Sequence, residues 1–151
     1  MNYCKLYGKL IKDWVGYIDK LRSYAIEFGT PICREGNTIR MGNKAVLGFG
    51  MSRILECDVG VREATIHSHI VSDKASLQDH ISAILSEVPR QCIIYKKDGV
   101  ERIKCYEYSK FPKEELQKDL EIMKNVSDKI EYLEYMDKFD KKYLLCDEPI
   151  E

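Results

Sequence analysis

The chain has 151 residues, of which 24 are Lys or Arg and 25 are Asp or Glu, leaving a formal charge of −1; no overall field draws in nucleic acid or an anionic membrane surface. This length supports one domain with a true core and leaves no room for two comfortable ones. The longest uncharged runs, such as Ala45 to Ser52, fall far short of the roughly 20 apolar residues that cross a bilayer.

Leu10, Ile11, Trp14, Val15, Ile18 and Leu21 recur at steps of three and four with charges between them, which predicts an amphipathic helix over about residues 9 to 23. The next stretch, "SYAIEFGTPICREGNTIRMGNKAVLGFG", is rich in β-branched and aromatic residues and broken by Gly36, Gly42 and Gly48. It reads as strands joined by tight turns, most clearly at Glu35, Gly36 and Asn37. "RILECDV" and "EATIHSHI" predict two further strands. From Ser76 the period changes, with Leu77, Ile81, Ile84, Leu85 and Val88 on one helical face ending at Pro89. Asp98-Gly99 between "QCIIYKK" and "VERIKCYEY" is a hairpin signal. Pro112 is expected as a first helical residue, and Leu116, Leu120, Met123, Val126, Ile130 and Leu133 extend one long helix. Its apolar stripe either packs on the sheet or pairs with a second subunit, and the end "CDEPIE" is expected to fray. Helix, strands, helix, hairpin, helix describes an α+β domain layered α/β/α around a mixed sheet.

The first residues, "MNYCKLYGKLIKDW", contain no apolar leader segment, so a cytoplasmic protein is expected. Abundant Lys and Glu beside few Asn and Gln point to a thermophilic source. The six cysteines, Cys4, Cys33, Cys57, Cys92, Cys105 and Cys146, form no C-x-x-C pair. They are expected as buried free thiols in a reducing compartment.

All three histidines lie between residues 64 and 80, in "ATIHSHIVSDKASLQDH". On a strand His67 and His69 project to one face about 7 Å apart, so that two imidazoles can converge on one ion. Asp79, in the first turn of the following helix, can supply a third ligand, and two histidines with one carboxylate leave a tetrahedral position open to water. Ser76 and Asp79 are also a helix-capping pair, and the two roles are compatible. His80 is expected to face solvent or the helix flank, or else to orient a ligand. Tyr95, Tyr106 and Tyr108 read as packing residues.

"HSH" followed by "SLQD", after an apolar strand and leading into an amphipathic helix, resembles the JAMM motif of the MPN/JAB metalloprotease family, whose pattern is a distal Glu, then His-x-His, then Ser-x-x-Asp. The resemblance covers about residues 8 to 108. It implies an MPN/JAB-like, cytidine-deaminase-like mixed sheet flanked by helices over residues 1–110, with residues 111–151 as a helical extension packed on the domain or used for association. It implies Zn2+ held by His67, His69 and Asp79, with Ser76 stabilising the polarised oxygen. The family glutamate corresponds best to Glu27 in "AIEFGTP", with Glu35 as the alternative; Glu56 and Glu63 lie too close to the His strand. Two departures stand out: Ile70 replaces the usual Pro after the second His, and the stretch from His69 to Ser76 is one residue shorter than the common form. Asp73 is therefore the alternative third ligand. The implied activity is hydrolysis of an amide after the C-terminal Gly-Gly of a ubiquitin-like or sulfur-carrier protein, possible homodimerisation being left to the C-terminal helix. The alternative is a non-catalytic interaction module with a residual metal site.

Overall fold

A computed structural model describes residues 1–47 and 55–151. Helix α1 (Tyr3–Ile11) is capped by Asn2, whose side chain accepts from Lys5 N; a 3-10 turn (Lys12–Trp14) leads into α2 (Val15–Ser23). The first helical stretch therefore begins six residues before the periodicity placed it, because Cys4 and Tyr7 extend the buried face. Strands β1 (Glu27–Glu35) and β2 (Thr38–Met41) form the expected hairpin, turning at Gly36 with φ of 63°, a conformation glycine adopts without penalty. A short β3 (Ala45–Leu47) also pairs with β1. The expectation at Gly48 and the first two residues of "RILECDV" lie outside the described residues; the rest of that segment, 55–59, is not a strand.

Strand β4 (Val61–Ser68) ends one residue before His69, and α3 (Leu77–Leu85) follows its cap, Ser76. β5 (Arg90–Lys97) and β6 (Val100–Glu107) make the predicted hairpin, with Asp98 and Gly99 both at positive φ, as a two-residue primed turn requires. The expected single C-terminal helix is two, α4 (Lys113–Lys124) and α5 (Lys129–Tyr143), with Pro112 just outside the first as its cap residue. Asp128 restarts the chain by accepting from Glu131 N. The expected frayed end is instead strand β7 (Leu144–Pro149), antiparallel to β6. The extension 111–151 thus packs on the domain and contributes a strand to its sheet.

The fold is α+β with a mixed open sheet in the order β2-β1-β4-β5-β6-β7, β3 adding to β1. β4 and β5 are the parallel pair, joined through α3. One face of the sheet packs on α1 and α2 through Tyr7, Ile11, Ile18, Phe28, Ile66 and Ile94; the other packs on α3, α4 and α5 through Leu77, Ile81, Ile93, Leu120, Phe139 and Tyr143. Helix α5 leaves Ile130 and Leu133 exposed.

The cysteines correct the sequence reading. All six are paired, Cys4 with Cys146, Cys33 with Cys57 and Cys92 with Cys105, and no cysteine is free. Their wide spacing says nothing about partners that the sheet brings together: Cys92 and Cys105 are direct cross-strand neighbours, and Cys146 opposes Cys105 from β7. Disulfides persist where thiols are oxidised or inside hyperthermophile cells.

Candidate metal centre

The centre lies where parallel strand β4 ends and α3 begins, the carboxyl end of a strand, where open α/β sheets carry their ligand sites. His67 stands on β4 opposite Gly29 of β1, which has no side chain to crowd it. His69 is one residue past the strand, but its backbone remains fixed. Its N–H donates to Ile94 O at 2.8 Å, and its carbonyl accepts from Arg22 Nε at 2.9 Å. The His69 ring is equally constrained. Nδ1 lies 3.1 Å from the carbonyl of Ser72, which can only accept, so Nδ1 is the donor there and the neutral ring has its lone pair on Nε2, the tautomer a metal ligand needs.

His67 Nε2 and His69 Nε2 are 3.0 Å apart, and Asp79 Oδ2 lies 3.5 Å from the first and 3.3 Å from the second. A tetrahedral zinc with bonds of about 2.0 to 2.1 Å separates its ligand atoms by about 3.3 Å. The three atoms therefore form one face of such a tetrahedron. Asp79 is held there by a capping box: Ser76 Oγ accepts from Asp79 N at 3.0 Å, and Ser76 N donates to Asp79 Oδ2 at 2.9 Å. The cap thus aims the carboxylate, and the Ser76 hydroxyl, an acceptor in that bond, keeps its own proton to donate.

The electrostatics fit a cation site. Burial works against an ionised Asp79, yet the imidazoles of His67 and His69 outweigh it and hold the carboxyl well below its usual range. For His67, burial disfavours the imidazolium, while Asp79 and then Glu27 override it and raise its pKa. A carboxylate favoured in its ionised form beside two imidazoles offers a divalent cation a deprotonated oxygen donor.

Glu27 is half-buried and, two residues from Gly29 on β1, lies on the same face as His67, close enough for its charge to act on that ring. Glu35 is at the far end of β1, eight residues away, roughly 26 Å along a strand. Asp73 is not part of the cluster; among the described residues the histidines gather with Asp79 alone, and the Asp73 carbonyl accepts from Lys104 Nζ at 2.6 Å. Glu63 serves the opposite face, accepting from Tyr7 OH and Arg34 Nε. A second group, Cys4, Cys105 and Cys146, also has its sulfurs within 4.8 Å of one another, but both disulfides there are closed and offer no thiolate.

His80 neither faces solvent nor touches a ligand side chain. It is 0% exposed, its Nδ1 is 2.7 Å from Tyr108 OH, and its Nε2 is buried without a partner. Its link to the centre is indirect, since Gln91 Nε2 donates to Tyr108 OH and to the carbonyl of Asp79. Sequence reasoning did not find Arg22 as the support of the His69 carbonyl. Its guanidinium is locked by both oxygens of Glu101 at 2.8 and 2.9 Å, a partner 79 residues away that no local pattern announces.

No protein-family model matches the chain, and no curated protein or solved structure matches it either.

Proposed function

We propose that the protein is a zinc-dependent hydrolase of amide bonds, an isopeptidase or peptidase of the JAMM type. The observation that carries this reading is the ligand triangle of 3.0, 3.3 and 3.5 Å, which has the edge lengths of a zinc tetrahedron with one corner left for water. A zinc ion bound by His67, His69 and Asp79 would supply Lewis acidity and make water a nucleophile near neutral pH.

The chain's own groups account for the rest. Glu27 takes a proton from the attacking water as the new C–O bond forms. It returns that proton to the leaving amine as the C–N bond breaks, leaving a carboxylate and an amine. Ser76 donates its hydroxyl proton to the oxyanion, a contribution of about 10² to 10³ in rate in comparable sites. Glu27 is the first residue of β1 and pairs with Leu47 of β3, so it stands at the end of its strand, on the face that carries His67. The resemblance in the His-x-His and Ser-x-x-Asp motifs supports a substrate ending in Gly-Gly, such as a ubiquitin-like or sulfur-carrier protein.

Metal analysis with activity tests this. Wild type holds about one zinc per chain, while His67→Ala, His69→Ala and Asp79→Ala lose it. Glu27→Ala keeps zinc and lowers amide cleavage by about 10² to 10⁴. Zinc-loaded wild type that cleaves no Gly-Gly amide would instead favour an interaction module with a residual metal site.

A further inference from the structure

We propose that the C-terminal helix completes the metal centre: Asp140 of α5 locks Lys104 and Tyr106 of β6, and these two hold the loop over 70–75 so that His69 and Asp79 meet. The inference rests on reading His67, His69 and Asp79 as metal ligands. It assigns positioning residues on β6 and, in Asp140, one in the segment 111–151, which the motif does not include.

The loop joins the two ends of the ligand set and has no regular structure of its own. At its start the Ser72 carbonyl accepts from His69 Nδ1; at its end Ser76 caps α3 and orients Asp79. Between them, two backbone groups are satisfied by side chains from β6. Lys104 Nζ donates to the Asp73 carbonyl at 2.6 Å, and Ala75 N donates to Tyr106 OH at 3.1 Å. Two residues on, the Leu77 amide donates to Tyr132 OH on α5. Lys104 shares the sheet row of Ile93 and His67, so its side chain rises on the same face as the ligands.

Asp140 is the hub of this arrangement. It accepts from Tyr106 OH, and its Oδ1 is 3.5 Å from Lys104 Nζ. Lys104 and Asp140 are each 6% exposed and Tyr106 is 0% exposed. A buried ion pair is a poor way to stabilise a core, since apolar residues of the same shape serve as well or better. Here the charges add something an apolar side chain cannot: directional bonds that fix one carbonyl and one amide of the loop. Without Asp140, Lys104 loses its counter-charge and the Tyr106 hydroxyl its acceptor. Both would have to reorient, and the loop with them. The missing residue between His69 and Ser76, relative to the common form of the motif, gives the loop less slack, so its fixed points matter more.

The experiment measures zinc affinity by competition with a chromophoric chelator in the full chain, well below the melting temperature, for wild type, Lys104→Met, Tyr106→Phe and Asp140→Asn, with circular dichroism to confirm folding. Loss of a group that orients a ligand costs about 10- to 100-fold in metal affinity, and that weakening is expected in all three variants; wild-type affinity in Asp140→Asn would show that the C-terminal helix takes no part. A merely structural role would lower the melting temperature and leave the Kd of the folded protein unchanged; that result overturns the proposal. Should Lys104→Met fail to fold, Tyr106→Phe, which removes one hydroxyl and keeps the ring, decides alone. Wild type that binds no zinc overturns the metal reading itself. In that event hydrogen exchange at the Ala75 amide, faster in Tyr106→Phe than in wild type, still reports whether the network holds the loop, and equal exchange rates overturn that too.

Discussion

Asp79 and His80 are neighbours in the first turn of α3 and face in different directions: the carboxylate meets two imidazoles, while the His80 ring lies among Tyr106, Tyr108 and Tyr143. Burial pushes the His80 pKa down to about 4 from 6.5, against a smaller opposing pull from Asp79. An ion bound by Asp79 would weaken that pull, so the direction holds with or without metal. A depressed histidine pKa means that the unfolded chain binds more protons between about pH 4 and 6.5, so this contribution to stability is present above that window and is lost as pH falls through it. The size is roughly 3 kcal/mol. Urea unfolding of wild type and His80→Phe at several pH values checks this: the stability difference should shift in favour of wild type as pH rises from 4 to 6.5, and parallel curves would show that His80 is not held neutral. The expectation of an outward His80 overlooks its spacing, three residues after Leu77 and four before Ile84, which is that of the buried face. The two-residue period brought His67 and His69 together, and the capping pattern placed Asp79. Arg22, Lys104 and Asp140 were not legible, because each acts through partners far away in the chain.

Among the elements, local signals sufficed wherever structure is local. The Asp98-Gly99 hairpin and the Ser76 cap stand where turn chemistry put them. Apolar residues continue at steps of three and four across the break between Asn125 and Asp128, which makes two helices look like one, and Asp128, the cap of the second, is the signal that divides them. Strand β7 carries no alternating pattern; it is fixed by long-range partners, with Asp147 accepting from Tyr95 OH and Arg102 Nε and Cys146 bonded to Cys4. That bond spans 142 positions of the chain, against 13 for Cys92–Cys105. A cross-link stabilises by restricting the unfolded chain, more so for a longer loop, which gives about 5 kcal/mol for the first and about 3 kcal/mol for the second. Guanidinium unfolding of the Cys4→Ala/Cys146→Ala and Cys92→Ala/Cys105→Ala proteins should reproduce that order. The reverse order would mean that the closure of α1 and β7 onto the sheet does not depend on the bond.

Across the whole molecule the sheet separates two devices. Cys92 and Cys105 pack toward α1 with Cys4, whereas Ile93 and Tyr106, next to them on the same strands, pack toward α3 and α5. The sulfur face ties the two ends of the chain together, and the other face carries the cluster of His67, His69 and Asp79. Because no side chain is shared between them, their contributions to stability should add, as those of separated sites do. Zinc at about 1,000 times its Kd would stabilise the folded state by about 4 kcal/mol, which at this chain length corresponds to a rise of about 8 to 16 °C in Tm. Melting the protein with zinc, with a chelator, with a phosphine reductant and with both agents tests the separation. The chelator should lower Tm by that amount whether the disulfides are intact or reduced. If reduction abolishes the zinc-dependent shift in protein that remains folded, the two faces are coupled through the sheet, and the geometry of His67, His69 and Asp79 depends on the cross-links behind it.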